Sequence, residues 1–178
     1  IKGEFNSDGI DGFIIIDIDK NDKLKEIAVH TPGPSDDDEY LVYWYDGNKI
    51  FLMEYFGGWP EFQGNGMVYL DQWQGFWARR DKYVLDKEKR KMKFIEQFAY
   101  YVGAKVTVKN SFTIYKETNL KDEVALLKKG SEVEILICDC IKREYFDYKY
   151  LIKSESGLLG WSGIDAILEN TEGLIMAD

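Results

Sequence analysis

The consecutive residues Tyr40-Leu41-Val42-Tyr43-Trp44-Tyr45, the turn Asp46-Gly47-Asn48 and the apolar stretch at residues 49–55 make one hairpin signal, and it constrains the fold more than any other part of the chain. Asp-Gly supplies the positive φ angles of a tight primed turn, and the flanking aromatic and β-branched residues suit strands far better than helices. The same alternation of strand and turn runs from Gly3 to about Tyr101, punctuated at Ser7-Asp8-Gly9, Asn21-Asp22, Pro32-Gly33-Pro34, Gly57-Gly58 and Gly64-Asn65-Gly66. A second hairpin is expected between residues 75–85 and 91–98, across the polar turn at 86–90. Helical periodicity is weak, and only residues 163–168 suggest a turn or short helix. The chain reads as all-β.

One turn carries chemistry. Asp17-Ile18-Asp19-Lys20-Asn21-Asp22-Lys23-Leu24-Lys25-Glu26 lies between two apolar runs, so it reads as a strand, a polar turn and a second strand. Oxygen donors at alternate positions of a tight loop converge on one centre, and a later carboxylate closes the shell around a hard cation. Asp17, Asp19, Asn21, Asp22 and Glu26 are therefore candidate ligands for a structural calcium ion. A metal-free Asx turn is the other reading of the same residues. An EF-hand is excluded, because the twelfth position counted from Asp17 is Ala28, not a bidentate Glu.

Charge supports a cation before a phosphate. The net charge is −9, and residues 1–60 hold 13 of the 32 acidic side chains against 5 of the 23 basic ones. An acidic first third disfavours nucleic acid, which needs a positive face. The run Asp36-Asp37-Asp38-Glu39 reads equally as a solvated acidic surface, and the basic residues 87–93 read as an ordinary charged hairpin tip. No apolar run reaches the roughly 20 residues of a membrane span, and no basic-then-apolar leader is visible. The chain begins at Ile1, as a processed chain would. Cys138 and Cys140 are two apart in a strand-like run, where a mutual bridge would be strained, so they read as two small buried hydrophobes.

A boundary is expected near Val102-Gly103-Ala104, dividing the chain into residues 1–103 and 104–178. In the second part, Val124-Ala125-Leu126-Leu127-Lys128-Lys129-Gly130-Ser131-Glu132-Val133-Glu134-Ile135-Leu136, followed by Tyr150-Leu151-Ile152-Lys153-Ser154-Glu155-Ser156-Gly157-Leu158-Leu159-Gly160-Trp161, resembles the bacterial Src-homology-3-like domain over about residues 104–168. The family's Leu-Asn-Val-Arg opening is replaced by Phe112-Thr113-Ile114-Tyr115, and residues 138–147 enlarge one loop. In the first part, the loop at Asp17 and the earlier Glu4-Phe5-Asn6-Ser7-Asp8-Gly9 resemble the calcium turns of FG-GAP or VCBS-type β-propeller repeats. Two blade-like units fit in that length, short of the four that a propeller requires.

These resemblances imply a propeller-repeat-like antiparallel β domain followed by a small Src-homology-3-like barrel, extracytoplasmic, either secreted or anchored at the cell envelope. They also imply a cell-wall peptide or glycan, or a surface protein, as partner. The expected groove is lined by Tyr115, Tyr148, Tyr150 and Trp161, the last of which is equally a core residue. His30 is the only histidine and is expected in a surface or capping role, and no phosphate loop or marked carboxylate pair stands out, so the expectation is binding without catalysis. An accessory domain of an envelope hydrolase and a purely structural module are the alternatives. The aromatics Phe56, Trp59, Phe62, Trp73, Trp77 and Tyr83 are expected to fill the core between sheets before they serve as a platform for sugars.

Overall fold

A computed structural model describes residues 12–31, 33, 38–141 and 143–176. The expected calcium-like loop at Glu4, most of Pro32-Gly33-Pro34 and Asp36-Asp37 lie outside the described residues. The described chain is almost entirely antiparallel β, as the strand-and-turn pattern predicts. It divides into two compact units, one formed by Ile1–Trp73 with Arg80–Glu96 and the other by Gln74–Arg79 with Gln97–Asp178. Val102-Gly103-Ala104, the expected boundary, lies inside a strand of the second unit.

The first unit holds two four-stranded sheets. One runs in the order β1 (Gly12–Ile16), β2 (Glu26–Thr31), β3 (Glu39–Tyr45), β4 (Ile50–Gly57). The other runs β5 (Trp59–Phe62), β6 (Met67–Trp73), β7 (Ala78–Asp86), β8 (Lys91–Ile95). The predicted hairpin β3–β4 closes on Gly47 at φ +98°, while the Asp46 carboxylate accepts the backbone N–H groups of Asn48 and Lys49 at 2.7 Å each. Ile16, Ala28, Val42 and Phe56 from the first sheet share one core with Val68, Leu70, Leu85 and Met92 from the second. The Phe56 and Tyr83 rings meet edge to face at 5.0 Å. Phe56 thus fills the core as expected, whereas Trp59 and Trp73 stand exposed.

The second unit is a seven-stranded sheet in the order β11 (Glu123–Leu127), β10 (Phe112–Tyr115), β14 (Leu159–Gly163), β13 (Lys149–Ser154), β12 (Glu132–Asp139), β9 (Tyr100–Val108), β15 (Thr171–Glu172). The short helix α1 (Ile164–Asn170) sits where the sequence suggests one. Strand β12 pairs with both β9 and β13 and carries a bulge between Ile135 and Ile137. Val106, Ile114, Val133, Ile135, Ile152 and Ile167 form the core. Gly160 has a packing reason: a Cβ there would lie 2.8 Å from the Ile114 side chain. Phe76 and Trp77, from the segment Gln74–Arg79, belong to this core as well, with Trp77 Nε1 donating to the Tyr150 hydroxyl at 3.3 Å. Cys138 and Cys140 are both buried and not bridged as a disulfide, which fits two small hydrophobes. A hydrogen bond between the two thiols, together with burial, pushes Cys138 above its ordinary pKa, which makes it a poor nucleophile.

Candidate functional site

The turn between β1 and β2 is closed by hydrogen bonds of its own and by basic side chains. Asp19, almost fully buried, takes the Asn21 backbone and side-chain N–H groups on Oδ1 at 3.0 and 2.9 Å. Its Oδ2 pairs with the Lys87 ammonium at the β7–β8 hairpin tip. The Lys87 hydrogen bond and the Asn21 N–H hold the Asp19 carboxyl down to about 2. Asp22 caps Leu24 N–H at 2.8 Å and lies 4.0 Å from the Arg90 guanidinium, and Asp17 pairs with Lys25. Backbone bonds from Lys20 N–H to Gly64 and from Gly66 N–H to Ile18 seat the turn on the 64–66 turn. The basic hairpin tip is thus the counterion of the acidic turn.

Glu26 stands apart from its expected role as the closing ligand. It is fully buried and its Oε2 accepts the Ile18 N–H at 3.1 Å. Burial raises its carboxyl above the ordinary range, with Asp22 and Asp17 adding to the rise against the Ile18 bond. Among the described residues no three His, Cys, Asp or Glu side chains converge as a metal-holding group. A calcium ion would have to displace Lys87 from Asp19. One observation favours a cation: Asp17 Oδ1 is buried with no hydrogen-bond partner among the described residues.

The four aromatics expected to line one groove are not brought to one surface. Tyr148, just before β13, and Tyr150 within it are both buried, and Tyr150 is wholly enclosed against Phe76 and Trp77. Burial pushes its phenol well above the ordinary range. Tyr115 and Trp161 do face one another across β10 and β14, both half-buried. Elsewhere in this unit a groove of about 330 Å³ is lined by Lys105, Glu132, Glu134, Lys153, Glu155 and Glu172 among others. Its charges pair across strands, with Lys153 3.6 Å from Glu134, as on an ordinary solvated face. His30 is a buried residue and not a surface cap: its Nε2 lies 3.1 Å from the Asp38 carboxylate and its ring 4.8 Å from Tyr40.

The outward face of the β1–β4 sheet is the feature that motif reading missed. Register aligns Phe13, Val29, Leu41 and Tyr55 in one row and Ile15, Ile27, Tyr43 and Leu52 in the next, with Tyr45 opposite Ile50 beyond them. None of these ten side chains carries a charge, and none belongs to either buried core. Exposure runs from 38% at Phe13 to 60% at Ile50 along the edge strands and hairpin. Polar residues close both ends: Glu39, which accepts the Tyr55 hydroxyl, at one, and the Asp17–Lys25 pair at the other. The opposite face of the same strands, with Ile14, Ile16, Ala28, Val42 and Phe56, is core or packed on it. A sheet that is apolar on both faces has the pattern of a layer covered on both sides. The signal was present in Phe13-Ile14-Ile15-Ile16, where polar alternation is missing.

No helix among the described residues is long and apolar enough to cross a membrane. No protein-family model, no curated protein and no solved structure matches this chain.

Proposed function

We propose that the protein is a non-catalytic binding protein whose working surface is the outward face of the β1–β4 sheet. The observation that carries this reading is the pair of uncharged rows running across all four strands. An apolar surface of that extent, rimmed by polar residues, marks a contact site. Only the hydroxyls of Tyr43, Tyr45 and Tyr55 interrupt it, which favours an apolar protein surface over a glycan as partner. In this reading the first unit is a pair of propeller-repeat-like sheets and the second a bacterial Src-homology-3-like barrel, extracytoplasmic as those resemblances imply. Support for the second assignment is that three of the four strands of its quoted motif, β12, β13 and β14, lie side by side, with β11 set apart from them by β10.

The test is titration of the apolar dye bis-ANS into wild type, Leu52→Glu on this face, and Leu126→Glu on the exposed part of β11. Submicromolar wild type and Leu126→Glu are expected to bind the dye equally and Leu52→Glu several-fold less. Equal binding by all three variants contradicts the reading.

Calcium at the 17–26 turn is a separate reading, favoured by the unpartnered Oδ1 of Asp17. Its ligands would be Asp17, Asp19, Asn21 and Asp22, with Lys87 as the competitor for Asp19.

A further inference from the structure

We infer that the outward face of the β1–β4 sheet pairs with the same face of a second copy of this chain. The inference rests on the binding reading above and names its partner. Two properties of the face select a second copy.

The first is area. Large apolar side chains of this kind present about 150–250 Å² each when fully exposed. Phe13, Ile15, Tyr45, Ile50, Leu52 and Tyr55 are 38–60% exposed, so they leave roughly 500–600 Å² uncovered. The half-shaded Ile27, Val29, Leu41 and Tyr43 fill the centre between them. With that centre the face approaches the roughly 800 Å² that each partner contributes to a standard interface. A micromolar dimer is the expected strength for a face of this size.

The second is charge. Stacking two identical faces needs a twofold axis lying in the plane between them. With the axis perpendicular to the strands, the Lys25 end of one copy lies over the Glu39 end of the other. The Asp17–Lys25 pair then lies over Glu39 at both rims, with Lys25 of one copy in reach of Glu39 of the other, while the uncharged rows stack in the middle. An axis parallel to the strands would set Glu39 against Glu39. The chain carries a net charge of −9, so an interface free of charge at its centre that keeps Glu39 away from Glu39 at its ends is the geometry in which two copies approach at least electrostatic cost.

Sedimentation velocity on the full chain from low to high micromolar concentration tests this. The expected result is a shift from 20.7 kDa toward twice that mass as concentration rises. Leu52→Glu is expected to remain monomeric and to melt like wild type diluted below its dimerisation range, because its side chain lies outside both cores. Glu39→Lys, which sets a cation opposite Lys25, is expected to weaken the dimer roughly fivefold to tenfold. A chain that stays at 20.7 kDa throughout overturns the inference. If bis-ANS still distinguishes Leu52→Glu in that case, the face is a binding surface for another protein, and the functional reading survives its specific partner. If bis-ANS does not, the rest of the chain covers the face and both fail. A dimer indifferent to Leu52→Glu and Glu39→Lys also overturns the inference, because it uses another surface.

Discussion

Glu26 shows how one buried carboxyl sets a pH response of its own. Its side chain accepts the Ile18 N–H, and burial keeps its carboxyl above the ordinary 4.5. The folded protein therefore holds this proton more tightly than the unfolded chain does. Stability from this group is greatest at low pH, falls as pH rises from about 4.5 through the folded value, and becomes a fixed penalty above it. Asp19 acts in the opposite sense. With its carboxyl held down to about 2, it contributes stability above its ordinary 3.8 that is lost as pH falls toward about 2. Glu26→Gln keeps an acceptor for Ile18 and removes the charge. It is expected to melt higher than wild type at pH 7 by about 2–4 °C, the shift that about 1 kcal/mol gives in a chain of this length. Melts from pH 7 down to pH 4 should show that advantage vanish, and a lower melt for the variant at pH 7 contradicts the assignment.

At the scale of elements, the β7–β8 hairpin supplies the cations that the β1–β2 turn lacks. Lys87 takes Asp19, and Arg90 approaches Asp22 while also lying over the Trp44 ring at 5.4 Å. In Lys87→Ala the Asp19 Oδ2 is released, so millimolar calcium is expected to raise the melting temperature of Lys87→Ala more than that of wild type, since only the folded turn gathers the ligands. Chelator-treated Lys87→Ala that melts identically with and without calcium rules the cation out.

Both hairpins were legible in the sequence because local chemistry determines them: Asp46 and Gly47 make their turn unaided. The pairing of Lys87 with Asp19 was not legible, since it joins residues 68 positions apart that only the fold brings together. Tyr150 failed as a groove residue for a similar reason. Its sequence neighbours suggest an exposed strand, but Phe76 and Trp77 come from a distant segment to bury it.

For the whole molecule, the β1–β4 sheet departs from the alternation expected when one face of an antiparallel sheet meets water. Its inward rows meet the other sheet of the unit, and its outward rows belong to neither buried core. The all-β class was readable from turn signals and aromatic content, which act locally. The outward apolar face was not, because register between strands, not spacing along one of them, assembles Phe13, Val29, Leu41 and Tyr55 into a row.

The most direct measurement is hydroxyl-radical footprinting of Phe13, Leu52 and Tyr55 as the protein is diluted from tens of micromolar to nanomolar, with exposed Phe146 of the second unit as reference. Protection of the three side chains at high concentration that is lost on dilution, with Phe146 reactive throughout, is the predicted result. Reactivity of the three that does not change with dilution, whether high or low, contradicts it.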